Sequence, residues 1–255
     1  MYVKELFTFK YVGIIVLNST FIVFSDLLIA FLFKMLKNKL INKILIIVVF
    51  TIAYGSVNSQ NIDIDILKNI NQNRIINSDP AFRFVTNSAI PVSVAAPLII
   101  TATGYLTKDS LTLQNGLLAA GSFLVSTAIS TAMKYSFNRP RPFETYPDEI
   151  TKLSSGGSPS FPSGHTSAAF STATSISLAY PKWYIITPAF IWAGAVGFSR
   201  MDLGVHYPSD VFMGALVGAG SAFLTDYVNK KLINNCRKNR LHKKKEIYKT
   251  AFVSN

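Results

Sequence analysis

The chain alternates long apolar runs, free of charge, with short polar stretches. Ile44–Ile62, Val85–Thr107, Ser110–Met133, Thr166–Pro181, Trp183–Ser199 and Val211–Thr225 contain no Asp, Glu, Lys or Arg. A helix needs about 20 mainly apolar residues to cross about 30 Å of hydrocarbon, and these runs reach or approach that length. The fourth and fifth are short and are extended through Gly164 and Arg200. The pattern predicts an all-α fold, a membrane-embedded bundle of about six helices. The later runs are rich in small residues, as in Ser167-Ala-Ala-Phe-Ser-Thr-Ala173, which let helices approach closely where lipid removes the hydrophobic drive between them. The competing reading of the same pattern is a soluble bundle of buried helices.

The N-terminal region is ambiguous. Met35-Leu-Lys-Asn-Lys39, the apolar Ile44–Ala53 and the small, polar Ser56–Gln60 read as a secretory signal over residues 35–59. It is either cleaved, with Met35 as the working start and 1–34 an upstream extension, or retained as the first membrane helix. Tyr11–Phe33 is interrupted by Asp26 and is a weaker span. The expected organisation is an apolar N-terminal region (1–60), a polar external segment (61–84) read as loop or surface helix, a helical core (85–228) and a basic tail (229–255).

Composition agrees with a membrane setting. Of 255 residues 49% are hydrophobic and 15% charged, too apolar for an ordinary soluble domain of this length. The net charge of +12 would suit a nucleic-acid binder, but nine of the 25 Lys and Arg lie between Lys230 and Lys249, past the last apolar run. That placement fits the cytoplasmic excess of basic residues in membrane proteins, and no nucleic-acid partner is expected. With the tail inside, counting helices backward puts the ends at Lys134, His165 and Arg200 together on the opposite face, toward the periplasm or exterior. The single cysteine, Cys236, can form no internal disulfide.

Those three ends carry the polar chemistry. The first cluster is Lys134-Tyr-Ser-Phe-Asn-Arg-Pro-Arg141-Pro142, in which the prolines end a helix and push Arg139 and Arg141 toward extended backbone. The second, Phe161-Pro-Ser-Gly-His165, follows a Ser/Gly-rich loop from Ser154. Ser163 suits an N-cap, Gly164 admits a ligand close to the backbone, and a helix N-terminus attracts anions. The third is Ser199-Arg200, then His206 and Asp210. Pro208 fits the first helical turn, so Asp210 either caps that helix or holds one nitrogen of His206 and frees the other for attack. Only three histidines occur, and two lie in these clusters. Imidazole is the group best suited to act as nucleophile, base or acid near neutral pH. Two histidines, one carboxylate and the fixed cations Lys134, Arg141 and Arg200 make a kit for holding and attacking phosphate. The alternative for the first cluster is that Lys134 snorkels and the arginines meet lipid headgroups. Asp202 reads as solvated or paired with Arg200. No metal spacing and no Gly-rich phosphate loop is visible.

Lys134, six residues, Arg141-Pro142; Pro162-Ser163-Gly164-His165; and Ser199-Arg200, five residues, His206, three residues, Asp210 together resemble the three-part signature of the type 2 phosphatidic acid phosphatase superfamily, with every position filled. The resemblance implies that His206 attacks phosphorus to form a phosphohistidine, that Asp210 orients it, and that His165 protonates the leaving oxygen and then activates water. It implies that Lys134, Arg141, Arg200, Ser163 and the Gly164 backbone hold the phosphate, with no metal and no other cofactor. Arg139 has no role in that scheme and is left for the substrate headgroup. The expected enzyme is a lipid phosphate or pyrophosphate hydrolase of the plasma membrane. Phosphatidate, phosphatidylglycerophosphate, undecaprenyl pyrophosphate and lipid A phosphates remain open as substrates, as does transfer to an acceptor other than water, and no obligate protein partner is called for. A secreted soluble acid phosphatase and a vanadate haloperoxidase are the alternatives within the same superfamily.

Overall fold

The computed structural model describes residues 62–74 and 79–253. The expectations for 1–60, including the signal or first helix and the choice of start, lie outside the described residues. Among the described residues the regular structure is helical: α1 (residues 62–72), α2 (Asp79–Leu106), α3 (Ser110–Phe137), α4 (Pro142–Thr145), α5 (Gly164–Ala179), α6 (Trp183–Asp202) and α7 (Pro208–Val253). The all-helical bundle expected from the apolar runs is what forms.

The boundaries follow local chemistry. Asp109 caps α3, accepting from the Leu111 N–H at 3.0 Å and the Thr112 hydroxyl at 2.6 Å, one of the stronger helix-start signals. Asn138 ends α3 in the left-handed region, φ 44°, with its N–H on the Lys134 carbonyl. Pro140 and Pro142 then forbid continuation, and Pro142 opens α4. Pro208 opens α7, which runs on through the segment expected as a basic tail.

α5 is the axis of the bundle, packed against α2, α3, α6 and α7. Nine of its 16 residues are buried, and apart from Ala168, Ala169 and Ala173 they are Ser and Thr. At 1.5 Å per residue it is about 24 Å long, short of a full crossing. Three helices are long and apolar enough to cross a membrane by length and composition: α2, the Ser110–Thr145 stretch of α3 and α4, and Pro208–Leu232 of α7. The expected spans at 166–181 and 183–199 are not among them, because α5 is short and hydroxyl-rich while α6 gives its ends to Trp183, Tyr184, Arg200 and Asp202. Leu98, Ile99, Leu117, Leu124, Phe212 and Phe223 stand outward, all more than half exposed, as suits helices facing hydrocarbon.

Small residues set the packing. A Cβ on Gly214 would lie 2.6 Å from the Ser163 carbonyl, and one on Gly218 would meet the backbone at Ser167 and Ser171, so α7 rests directly on α5. Ser130 donates to the Ser167 hydroxyl at 2.7 Å across α3 and α5. At one end α1 lies over the bundle. Its Ile64 and Leu67 pack with Ile150 and Tyr207, and the Asn71 amide bonds the Asp202 carbonyl at 2.8 Å and both backbone groups of Thr151. The segment expected as loop or surface helix is thus a helix with one face buried.

Candidate active site

Lys134 at the end of α3, Arg141 before α4, Gly164 and His165 at the start of α5, Arg200 near the end of α6 and His206 before α7 all line one cavity of about 470 Å³. Three cations and two imidazoles therefore share a wall, although up to 72 residues separate them in sequence. The turn that delivers His206 needs Gly204, whose φ of +70° is left-handed and whose Cα faces the Thr151 carbonyl and Ile150.

His206 is 1% exposed, and its two ring nitrogens have different surroundings. Nε2 lies 3.5 Å from the guanidinium of Arg141, which lines the cavity with it. Nδ1 faces inward, 3.5 Å from Asp210 Oδ2 and 3.4 Å from the Ser160 hydroxyl. Ser160 in turn donates to the same Asp210 oxygen. The Tyr207 N–H also donates to Oδ2, at 2.9 Å, so Asp210 both caps α7 and stands behind His206. Burial pushes the His206 imidazole down to about 3, with Arg200 and Arg141 pushing the same way and Asp210 opposing them. Desolvation disfavours the imidazolium and so favours the neutral ring.

The cations are held by backbone more than by carboxylates. Arg141 donates to the Ser158 carbonyl at 2.8 Å and the Val205 carbonyl at 2.9 Å, and Lys134 reaches the Pro159 carbonyl at 2.5 Å. Arg200, 2% exposed, donates to the Thr86 hydroxyl at 2.8 Å, the Ser154 hydroxyl at 3.2 Å and the Ser155 carbonyl at 3.3 Å. Its Nε is buried without a hydrogen-bond partner among the described residues. Neutral acceptors position these charges without cancelling them, and an unmet buried donor costs stability until an acceptor arrives. Such a wall suits an anion.

Two expected residues differ from the rest. Ser163 stands at the N-cap of α5, but its hydroxyl makes no capping bond; it accepts from Thr166 at 2.8 Å, is fully buried and does not line the cavity, whereas Gly164 does. Asp202 is buried, with Oδ2 lacking a hydrogen-bond partner among the described residues, and it makes no pair with Arg200. Arg139, left for a headgroup, is engaged within the protein: it donates to Asp210 Oδ1 and Asp63 Oδ2, each at 2.8 Å, and stacks on Tyr207 with its guanidinium carbon 3.9 Å from the ring centre.

Sequence reading missed the Ser154–Ser160 segment as part of the wall. Its backbone and hydroxyls hold Lys134, Arg141 and Arg200. A Cβ on Gly156 would come within 2.6 Å of the Arg141 guanidinium. The available signal was the run Ser154-Ser-Gly-Gly-Ser-Pro-Ser160 itself, since such small residues let backbone approach a cation. Asp63 and Thr86 carried no signal, being isolated in sequence.

A family model described as the PAP2 superfamily matches residues 115–233, which contain all three polar clusters. The chain is 30% identical over 167 residues to the bacitracin transport permease protein BcrC of Bacillus licheniformis, the match covering 60% of this chain and 80% of the relative. It is 27% identical over 184 residues to an undecaprenyl-diphosphatase of Sulfolobus acidocaldarius, covering 71% and 85%. Among solved structures, its fold is similar to the transmembrane PAP2-type phosphatidylglycerolphosphate phosphatase from Bacillus subtilis, with a TM-score of 0.63 at 24% identity over 74% of this chain and 95% of that one. The three clusters, in order and gathered on one cavity wall of a bundle with membrane-length helices, carry the same conclusion as these matches: the chain is a membrane protein and belongs to the PAP2 superfamily.

Proposed function

We propose that the protein is a phosphatase that hydrolyses a lipid phosphate or pyrophosphate through a phosphohistidine at His206, on the periplasmic or outer face of the plasma membrane. The observation that carries this reading is a buried His206, its neutral ring favoured, that lines a cavity ringed by Lys134, Arg141 and Arg200, with His165 on the same wall.

In the first step Nε2 bonds to phosphorus as the P–O bond to the lipid breaks, and His165 gives its proton to the departing oxygen. In the second, water attacks phosphorus, His165 takes the water's proton, and the P–N bond breaks to restore His206. The charge that spreads over the phosphoryl oxygens meets Lys134, Arg141, Arg200 and the backbone at Gly164. Phosphoryl transfer depends mostly on positioning and charge stabilisation, which is what preset cations provide. The Nδ1 proton, facing Asp210 and Ser160, keeps the ring in the tautomer that attacks. Ile90 and Phe123 give the cavity an apolar side, suited to the first carbons of an acyl or prenyl chain. The likeness to an undecaprenyl-diphosphatase makes polyprenyl pyrophosphate the first substrate to try.

The test is phosphate release by detergent-purified protein from polyprenyl pyrophosphate, phosphatidate, phosphatidylglycerophosphate and a lipid A phosphate, with EDTA present and His206→Ala as control. EDTA-resistant release that disappears in the variant is expected, together with an acid-labile phosphoenzyme that accumulates in His165→Ala. No release from any substrate by folded protein would overturn the reading.

A further inference from the structure

The catalytic carboxylate is held from outside the signature, by a helix N-terminal to the family match. We infer that Asp63 of α1 is a positioning residue for catalysis, acting through Arg139 to keep Asp210 aligned and charged behind His206. The inference rests on the phosphatase reading.

Asp63 is 6% exposed and spends both oxygens on the site's support. Oδ2 accepts from Arg139 Nη2 at 2.8 Å and from the Ser209 hydroxyl at 2.5 Å, while Oδ1 accepts the Ser209 N–H at 2.9 Å. Ser209 is the second residue of α7, where backbone N–H groups have no helical partner. Asp63 therefore caps α7 from another helix, and the helix it caps carries Asp210 one residue later. Arg139 completes the link: Nη1 bonds Asp210 Oδ1 at 2.8 Å and Ser209 Oγ at 2.7 Å, and the guanidinium carbon lies 3.9 Å from the Tyr207 ring centre.

The charge arithmetic gives this link a function beyond fastening. Arg139 sits between two carboxylates. With Asp63 present, its positive charge is shared, and Asp210 keeps net negative charge to direct at the Nδ1 proton of His206. With Asp63 neutralised, Arg139 compensates Asp210 fully and draws it toward Oδ1, away from a contact that is already 3.5 Å long. His206 then loses the preference for carrying its proton on Nδ1, which is the form with Nε2 free to attack. Groups placed behind active residues in this manner typically change activity about 10- to 100-fold.

Asp63→Asn is nearly isosteric and retains an acceptor for the Ser209 N–H, while the amide NH2 that replaces Oδ2 removes the charge and gives up the bond from Arg139. The full chain is compared as wild type, Asp63→Asn, Asp210→Asn and the double variant, measuring kcat and KM for the best substrate of the panel and thermal unfolding. The expected result for Asp63→Asn is a kcat about tenfold or more lower with KM within about twofold, in a protein that still unfolds cooperatively although at a lower midpoint, because Arg139 loses a buried partner. Added to Asp210→Asn, the same change costs less than about threefold, because a neutral amide no longer competes for Arg139. A wild-type kcat in Asp63→Asn, or full additivity with Asp210→Asn, overturns the inference.

A second readout is independent of turnover. The chain has three histidines, so a spectrum of 15N-histidine-labelled protein shows three imidazoles, assigned by substituting His165 and His242. Wild-type His206 is expected as the Nδ1–H tautomer, and Asp63→Asn is expected to mix the tautomers. An unchanged His206 signal in the variant overturns the inference even if no panel substrate is cleaved, whereas absence of cleavage by wild type with the tautomer shift intact sinks only the phosphatase reading.

Discussion

His206 and Arg200 show how one buried group is tuned by what it lacks. Imidazole ordinarily titrates near 6.5, and in the protein burial lowers His206 to about 3. A group that must be neutral to attack, with a lowered pKa, remains competent as pH falls from 7 and loses competence only near its own pKa. His165, which must carry the proton it donates, is lowered as well, to about 4, by burial and then by Arg200, Arg141 and Lys134. The kcat/KM profile of the free enzyme is therefore expected to be bell-shaped with both limbs displaced toward acid and its maximum well below pH 7. kcat/KM measured from pH 3.5 to 9 checks this, and an acid limb centred near 6.5 that moves with substitutions at Asp210 would contradict it. Arg200→Lys is expected to lower kcat/KM by about 10²- to 10³-fold, since a single ammonium cannot serve Thr86, Ser154 and Ser155 together and still present a donor to phosphate. Initial-rate kinetics on the folded variant check it. At this scale most of the site was legible in the sequence: rare histidines and fixed cations at helix ends announce themselves. The Ser163 hydroxyl turns to Thr166, a choice of rotamer that spacing does not encode.

At the level of elements, the site depends on how closely α5 and α7 meet. The N-terminus of α5 carries Gly164 and His165, and α7 carries Asp210; their approach is set by Gly214 and Gly218 against the backbone of Ser163, Ser167 and Ser171. Gly218→Leu is expected to destabilise the protein by about 1–3 kcal/mol through overpacking and to separate Asp210 from His206, so both the unfolding midpoint and kcat should fall. A thermal melt in detergent and an activity assay on the same sample check this. Gly156→Val is a contrasting case. It lies in a loop, and its side chain would strike the Arg141 guanidinium rather than backbone, so KM is expected to rise by about tenfold or more with little change in melting. Helix existence was readable from charge-free runs and from Asp109, Asn138 and Pro208. The buried face of α1 was not, because Asp63, Leu67 and Asn71 gain meaning only against Ile150, Thr151 and Ser209, far along the chain.

For the whole molecule, the placement of charge sets the orientation expected in the membrane. The nine basic residues between Lys230 and Lys249 favour an inward C-terminus, and the bundle carries the His206 end at the other extremity of α7. In intact cells, Cys236 is expected to resist a membrane-impermeant maleimide and to react once the membrane is permeabilised. Asp148→Cys in a Cys236→Ser background, at an exposed position between α4 and α5, is expected to react without permeabilisation. The reverse pattern would put the cavity inside the cell. The distribution of charge along the sequence makes this expectation, and folding adds that the three clusters converge on one cavity rather than merely on one face.

What the sequence determined by itself was the membrane-length apolar helices, the chemical inventory and the order of its three clusters. These are properties of composition and of local spacing, since hydrocarbon thickness sets run length and prolines and caps set helix ends. The tertiary structure decided which charges remain available. It assigned Arg141 and Arg200 to neutral backbone and hydroxyl acceptors that leave their charge facing the cavity, and it assigned Arg139, two residues from Arg141, to Asp63 and Asp210. Neighbouring arginines differ in this way because long-range contacts, through helices whose separation depends on glycine and serine, determine the partner each one meets.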